Sequence, residues 1–280
     1  MKFKMPLTLV LGSLVVALAG CTMWRPNRQM QGTSVMQFLY PNDSQHVDSP
    51  GIPVLSLPLR VGIAFVPPAG KSNFYAPAVL TESGKAELLK RVAAEFRGLA
   101  YVKSIELIPT TYLRPEGGFD NLNQLQSMFG VDVIALVAYD QTQFTNEGLL
   151  SLAYWTIVGA YVVQGEKNDT QTLIEAVVYD IASHKLLFRA PGTSRVKASA
   201  TPINLSEQLR TDSRTGFDQA TTEMIANLKT ELENFKTRVK ESPTEFKIEH
   251  KPGYTGGGML DGGFAIGLAG LAFLALWRRK

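Results

Sequence analysis

The chain reads as a mixed α/β protein, with helices packed on a mixed sheet, and three observations predict it. Between residues 59 and 139, apolar runs of strand length alternate with stretches of helical period in the order β-α-β-α-β. Two further strand-like runs meet at Ala182-Ser183-His184-Lys185, which predicts an antiparallel hairpin in the C-terminal part. Then Phe217, Thr221, Met224, Leu228, Leu232, Phe235 and Val239 fall on one stripe, as in a long final amphipathic helix.

Taken in order, the first element is a leader. Lys2 and Lys4 precede an apolar stretch from Leu7 to Leu18 that stops at Leu18-Ala19-Gly20-Cys21, and Cys21 is the only cysteine. A short basic region, about a dozen apolar residues and small residues at the end are the marks of a signal peptide, expected over 1–20. The stretch is short of the roughly 20 residues needed to cross a bilayer. From 21 to 57 the chain is rich in Pro, Asn, Gln, Ser and Asp and reads as a flexible tether. His46, beside Asp43 and Asp48, belongs to that solvated loop and is no metal site.

The domain proper is expected over 58–245. Leu59 to Val66 predicts a buried strand that ends at Pro67 and Pro68. The following Gly70-Lys71-Ser72 is not a P-loop, because Phe65 stands where its first glycine must be. Leu88, Leu89, Val92, Phe96 and Leu99 predict a helix over Glu82 to Leu99. A strand from Val102 to Ile108, a helix from Asn121 to Phe129 and a strand from Val131 to Tyr139 follow, the last apolar enough to be covered on both faces. Leu149 to Val163 contains Ser151, Tyr154, Trp155, Thr156 and Tyr161, and reads as a strand rather than a membrane span. Gln171 to Ile181 and Lys185 to Val196 form the hairpin, and the last helix spans Arg214 to Lys240. Residues 246–255, with Pro252-Gly253, read as a linker. The order of elements is loosely similar to periplasmic lipoproteins of the curli-secretion and TolB N-terminal type, a likeness of fold that implies nothing about activity.

The C-terminal region, 256–280, opens on Gly256, Gly257 and Gly258. It continues into 16 uncharged residues from Gly262 to Trp277 and closes on Arg278, Arg279 and Lys280. A transmembrane helix with a cytoplasmic basic tail is the expectation, marginal in length and weakened by its glycines. Leu-Ala-Gly-Cys resembles the bacterial lipoprotein signal, in which the cysteine becomes acylated. The glycines, apolar run and basic tail resemble the GlyGly-CTERM sorting signal, and both ends together resemble the rhombotarget lipoprotein family. That resemblance implies acylation (palmitate) at Cys21 and cleavage near Gly256 to Gly258 by a rhombosortase, a rhomboid-type intramembrane protease. It also implies membrane lipid, signal peptidase and the lipoprotein-sorting machinery as partners. Thr22 after the cysteine, in place of the aspartate that signals inner-membrane retention, implies transfer to the outer membrane or cell surface.

Composition narrows the function. The formal charge is +3, but the two removable ends carry Lys2, Lys4, Arg278, Arg279, Lys280 and Asp261, so 23 of 28 basic and 24 of 25 acidic residues remain, a balance of −1. That offers nucleic acid no concentrated basic face. There is no GxSxG, HExxH or CxxC, and an acylated Cys21 leaves no thiol for catalysis or metal. His46, His184 and His250 fall in predicted loops or tails; Asp132, Asp140, Glu147 and Glu175 are the carboxylates from which an acid/base pair would have to be drawn. No enzyme and no cofactor beyond the lipid on Cys21 is therefore expected. The expected role is binding or structural, toward an envelope protein or glycan, with Tyr139, Phe144, Tyr154 and Trp155 as the aromatic surface. The alternatives are a periplasmic hydrolase-like enzyme and a doubly anchored inner-membrane assembly factor.

Overall fold

A computed structural model describes residues 27–41, 51–68, 80–147, 166–201 and 203–254. Its elements are β1 (Asn27–Gly32), α1 (Val35–Leu39), β2 (Val54–Leu57), β3 (Leu59–Phe65), α2 (Glu82–Phe96), β4 (Val102–Ile108) and α3 (Gly118–Phe129). They continue with β5 (Val133–Glu147), β6 (Glu166–Asp180), β7 (Leu186–Ala200), α4 (Leu205–Glu241) and β8 (Lys247–His250). The expected mixed class is borne out. One sheet has the order β4-β3-β5-β6-β7 with β1 beside β5, and β2 pairs with β8 in a second, small sheet. β3 runs parallel to β4 and β5, whereas β1 is antiparallel to β5.

Local chemistry sets the helix bounds. The Thr81 side chain caps α2 by accepting from the Gly84 N–H at 3.1 Å, and Glu82 binds Lys85 within the first turn. α2 stops at Phe96, short of Leu99, because Gly98 turns the chain at φ +84°. α3 ends where Gly130 takes the left-handed conformation, and any side chain there would press on the Arg60 guanidinium.

The backbone divides into two compact units. One holds the described parts of Met1–Gly32, Asp140–Leu173 and Thr193–Thr222; the other holds those of Thr33–Tyr139, Ile174–Gly192 and Glu223–Lys280. β5, β6, β7 and α4 contribute residues to both. In the second unit Ile134, Leu136, Ile108 and Val66 of the sheet region pack with Leu122 and Leu125 of α3 and Phe38 of α1, all fully buried. Each such side chain contributes about 1.5–3 kcal/mol by leaving water.

Three differences from the sequence reading stand out. Part of the expected tether is folded: β1 is a sheet strand, and Val35, Phe38 and Leu39 of α1 enter the core. β1 reads Asn-Arg-Gln-Met-Gln-Gly and pairs with the polar half of β5, so no apolar alternation announces it. The expected 246–255 linker contains β8, which pairs with β2 from Val54↔Lys247 to Leu57↔His250. α4 begins nine residues before Arg214, because its first turns face the sheet with Ser213, Asp212 and Gly216 rather than apolar side chains. The Leu149 to Val163 run and the C-terminal segment lie outside the described residues, as do the leader and His46. No described helix is long and apolar enough to cross a membrane.

Candidate functional site

Cys21, Gly256, Gly257, Gly258, Arg278, Arg279 and Lys280 also lie outside the described residues, as do Tyr154 and Trp155. Of the remaining sequence candidates, Asp132 stands at the entrance to β5 and is enclosed by cations. Its Oδ2 accepts from the Arg60 backbone N–H at 2.9 Å and from Lys251 Nζ at 2.8 Å, and its Oδ1 accepts from Arg60 Nη2 at 2.9 Å. Burial by itself would raise this carboxyl. The Arg60 side chain, Lys251 and the Arg60 amide outweigh burial and hold it below the usual carboxylate range. Lys251 Nζ also donates to the Pro58 carbonyl, so Asp132 knots together the ends of β2 and β8 and the starts of β3 and β5. Held ionised below the usual carboxylate range by these cations, Asp132 is a weak base. Glu175 is bound by Arg189 at 3.2 Å, and Asp140 is exposed. Asp132 and Glu175 have separate cationic partners.

The aromatic surface expected at Tyr139 is corrected. Tyr139 is 9% exposed and packs edge-on against Phe65, since the β5 pleat turns it inward. Phe144 lies under the Arg28 guanidinium. A different aromatic cluster forms in the second unit, around Phe119 at the start of α3. His184 stacks on Phe119 at 4.1 Å with the rings 16° apart. Tyr40 and Tyr179 meet the same ring edge-on at 5.6 and 5.9 Å. Tyr40, Phe119 and His184 are half-buried, whereas Tyr179 lies beneath them, and burial pushes its phenol up to about 12.

The backbone is bent to build this platform. His184 and Glu116 are the described non-glycine residues with positive φ, at +59° and +58°. One carries the stacking ring; the other stands three residues before Phe119. Such a conformation costs about 1–2 kcal/mol at each residue and persists only where the surroundings enforce it. At the hairpin turn, Asp180 supplies the enforcement by accepting from the Ser183 amide and hydroxyl. His184 is thus the turn residue the sequence reading expects, placed beside Asp180, but its ring faces an aromatic partner. Three separate segments supply the platform, at Tyr40, at Phe119 and at the hairpin from Tyr179 to His184, so no spacing in the sequence foretells it.

The first unit has a polar interior instead. Gln141 donates to Thr172 Oγ1 at 2.8 Å and to the Ser213 carbonyl at 3.2 Å, and accepts from Ser213 Oγ at 2.7 Å. One pleat on, Gln143 donates to Thr170 Oγ1 at 3.2 Å and to the Leu209 carbonyl at 2.9 Å. Ser194 Oγ donates to the Gly216 carbonyl at 2.8 Å. α4 is therefore held to the sheet here by a ladder of side-chain hydrogen bonds, which fixes its register. Among the described residues, the amide of buried Asn168 and one oxygen of buried Asp212 have no partner. No described group of three or more His, Cys, Asp or Glu side chains gathers to hold a metal.

No family model matches the chain, and no curated protein does. Solved structures give faint likenesses. A homolog of a neuraminyllactose-binding hemagglutinin from Helicobacter pylori is 9% identical, covers 70% of this chain and 96% of its own, and has a TM-score of 0.34. The PelC dodecamer of Paraburkholderia phytofirmans is 11% identical over 74% of this chain and 97% of its own, at 0.28. A lipoprotein of Neisseria meningitidis is 14% identical over 55% of this chain and 96% of its own, at 0.26.

Proposed function

We propose that this chain is a bacterial envelope lipoprotein, acylated at Cys21 and cleaved near Gly256 to Gly258 by a rhomboid-type protease, whose folded body binds an envelope protein or glycan. The observation that carries the reading is Leu18-Ala19-Gly20-Cys21 behind a basic and apolar leader. The C-terminal glycines, apolar run and basic tail support the second processing step. A rhomboid must unwind its substrate before it can cut, and each glycine lowers that cost by up to about 1 kcal/mol. While the C-terminal segment remains, the protein stays in the inner membrane, and cleavage releases it to the outer membrane or surface.

For the body, binding is favoured over catalysis by what meets at its surface. Half-buried rings on a stiff, strained turn suit a flat apolar or sugar face, while Asp132 and Glu175 are held by cations and Asp180 by Ser183. Intact mass of the protein from its native membrane, with peptide mapping of both ends, tests the processing. A triacylated Cys21 and a C-terminus near Gly256 to Gly258 is the expected result. Lys280 still attached to an acylated protein means a permanent double anchor, and the sorting step is then wrong.

A further inference from the structure

The described chain ends at Tyr254, and it leaves the second unit at one particular end. Leu59 of β3 pairs with Val102 of β4, Val61 with Val133 of β5, and Leu57 of β2 with His250 of β8. The parallel strands β3, β4 and β5 thus begin where β8 finishes. Lys251 locks the exit there, its N–H donating to the Leu57 carbonyl and its ammonium to Asp132. His250 and Tyr254 stack just beyond, at 5.7 Å. Seven residues, 255–261, then separate Tyr254 from the uncharged run at Gly262. Fully extended, seven residues span about 25 Å, and a Gly-rich segment averages about 15 Å. Once the run is in a membrane, about 5–7 Å of headgroup layer fills part of that distance, leaving little room between this end of the protein and the lipid.

The surface at this end suits such a neighbour. Arg97 and Lys103 are exposed on the approach to and start of β4, and the Arg60 side chain is 41% exposed. Lys251 is a fourth cation, against Asp132, the anion that Arg60 and Lys251 already share. Glu249 on β8 is bound by Lys247, and Glu95 on α2 by Lys229. Met128 is 63% exposed, two residues before Gly130, which abuts Arg60. We propose that, before C-terminal cleavage, the second unit lies with this basic end against anionic phospholipid headgroups. The inference rests on the reading of Gly262 to Trp277 as membrane-inserted, and adds to it the surface that meets the bilayer.

The full chain in vesicles of phosphatidylethanolamine and phosphatidylglycerol tests it. With Cys21 acylated, a Met128→Cys variant carries a single thiol for a fluorophore; Met36→Cys places the same probe at the opposite end, beyond the Thr33 amide that binds the Tyr139 carbonyl. Nitroxide-bearing lipid is expected to quench the probe at 128 several-fold more strongly than that at 36, which the five residues between Cys21 and β1 keep near the lipid without docking it there. Arg97→Glu and Lys103→Glu should each weaken docking by about fivefold or more, the factor one basic residue carries at an anionic surface, and high salt should mimic them. Equal quenching at both positions, or none at 128, overturns the docking surface. A companion variant, Ile266→Arg with Leu271→Arg, separates the two readings. If the C-terminal segment of the parent chain is digested by external protease as readily as that of this variant, it was never inserted, and both readings fall. If the parent is protected but the 128 probe is unquenched, only the docking surface is wrong.

Discussion

At the residue scale, Asp132 has the largest electrostatic consequence. Replacing it with Asn leaves Arg60 and Lys251 facing a neutral group, and the loss of charged hydrogen bonds is expected to cost about 1–3 kcal/mol. The pH dependence has a definite sign. Asp132 is held below its ordinary value when folded, so its contribution is present above the unfolded carboxylate range, about pH 4, and is lost as pH falls through the depressed folded value. Urea unfolding from neutral to strongly acidic pH should show this loss in the parent and a flatter profile in Asp132→Asn. Tyr179 gives the opposite limb. Its phenol is raised to about 12, so the Tyr179 contribution to stability is constant below the unfolded phenol value of about 10 and declines between there and 12. Tyr179→Phe should weaken that alkaline decline while leaving neutral stability within about 1 kcal/mol, as its ring contact with Phe119 is retained.

At the element scale, α4 shows how two halves of one helix are recognised by different means. Its later turns carry buried Met224, Leu228, Phe235 and Val239 at helical spacing, and the sequence displays them plainly. Its earlier turns meet Gln141, Gln143 and Thr172, polar residues whose periodicity looks like that of a solvated strand. Hydrophobic patterning therefore reveals β3, α2, β4 and the first half of β5, but loses β1, the far end of β5 and the start of α4. The Phe119 platform was hidden for another reason: its rings converge only in three dimensions. The ladder has a steric requirement at Gly216, where an added Cβ would sit 2.5 Å from Thr172 Oγ1. Gly216→Ala gains up to about 1 kcal/mol in helix propensity. Overpacking against Thr172 and the Gln141 hydrogen bonds costs about 1–3 kcal/mol, so the variant should unfold at lower denaturant than the parent.

At the scale of the whole molecule, the proposed processing would alter charge as well as attachment. The proposed C-terminal cut removes Arg278, Arg279, Lys280 and Asp261, so the lipid-anchored chain should lose two positive charges when released. Isoelectric focusing of protein from cells with and without the protease measures this directly, and identical bands would mean the cut does not occur. The pairing of β1 with β5 has one more consequence. It leaves five residues, 22–26, between Cys21 and the first strand, where a tether to residue 57 would have left thirty-six. Five residues reach about 18 Å at full stretch, so the proposed acylation at Cys21 would moor the protein at the lipid surface instead of letting it range above it. A ligand in the same leaflet is met in a thin layer, at a local concentration far above its bulk value; one that stays away from the membrane is out of reach.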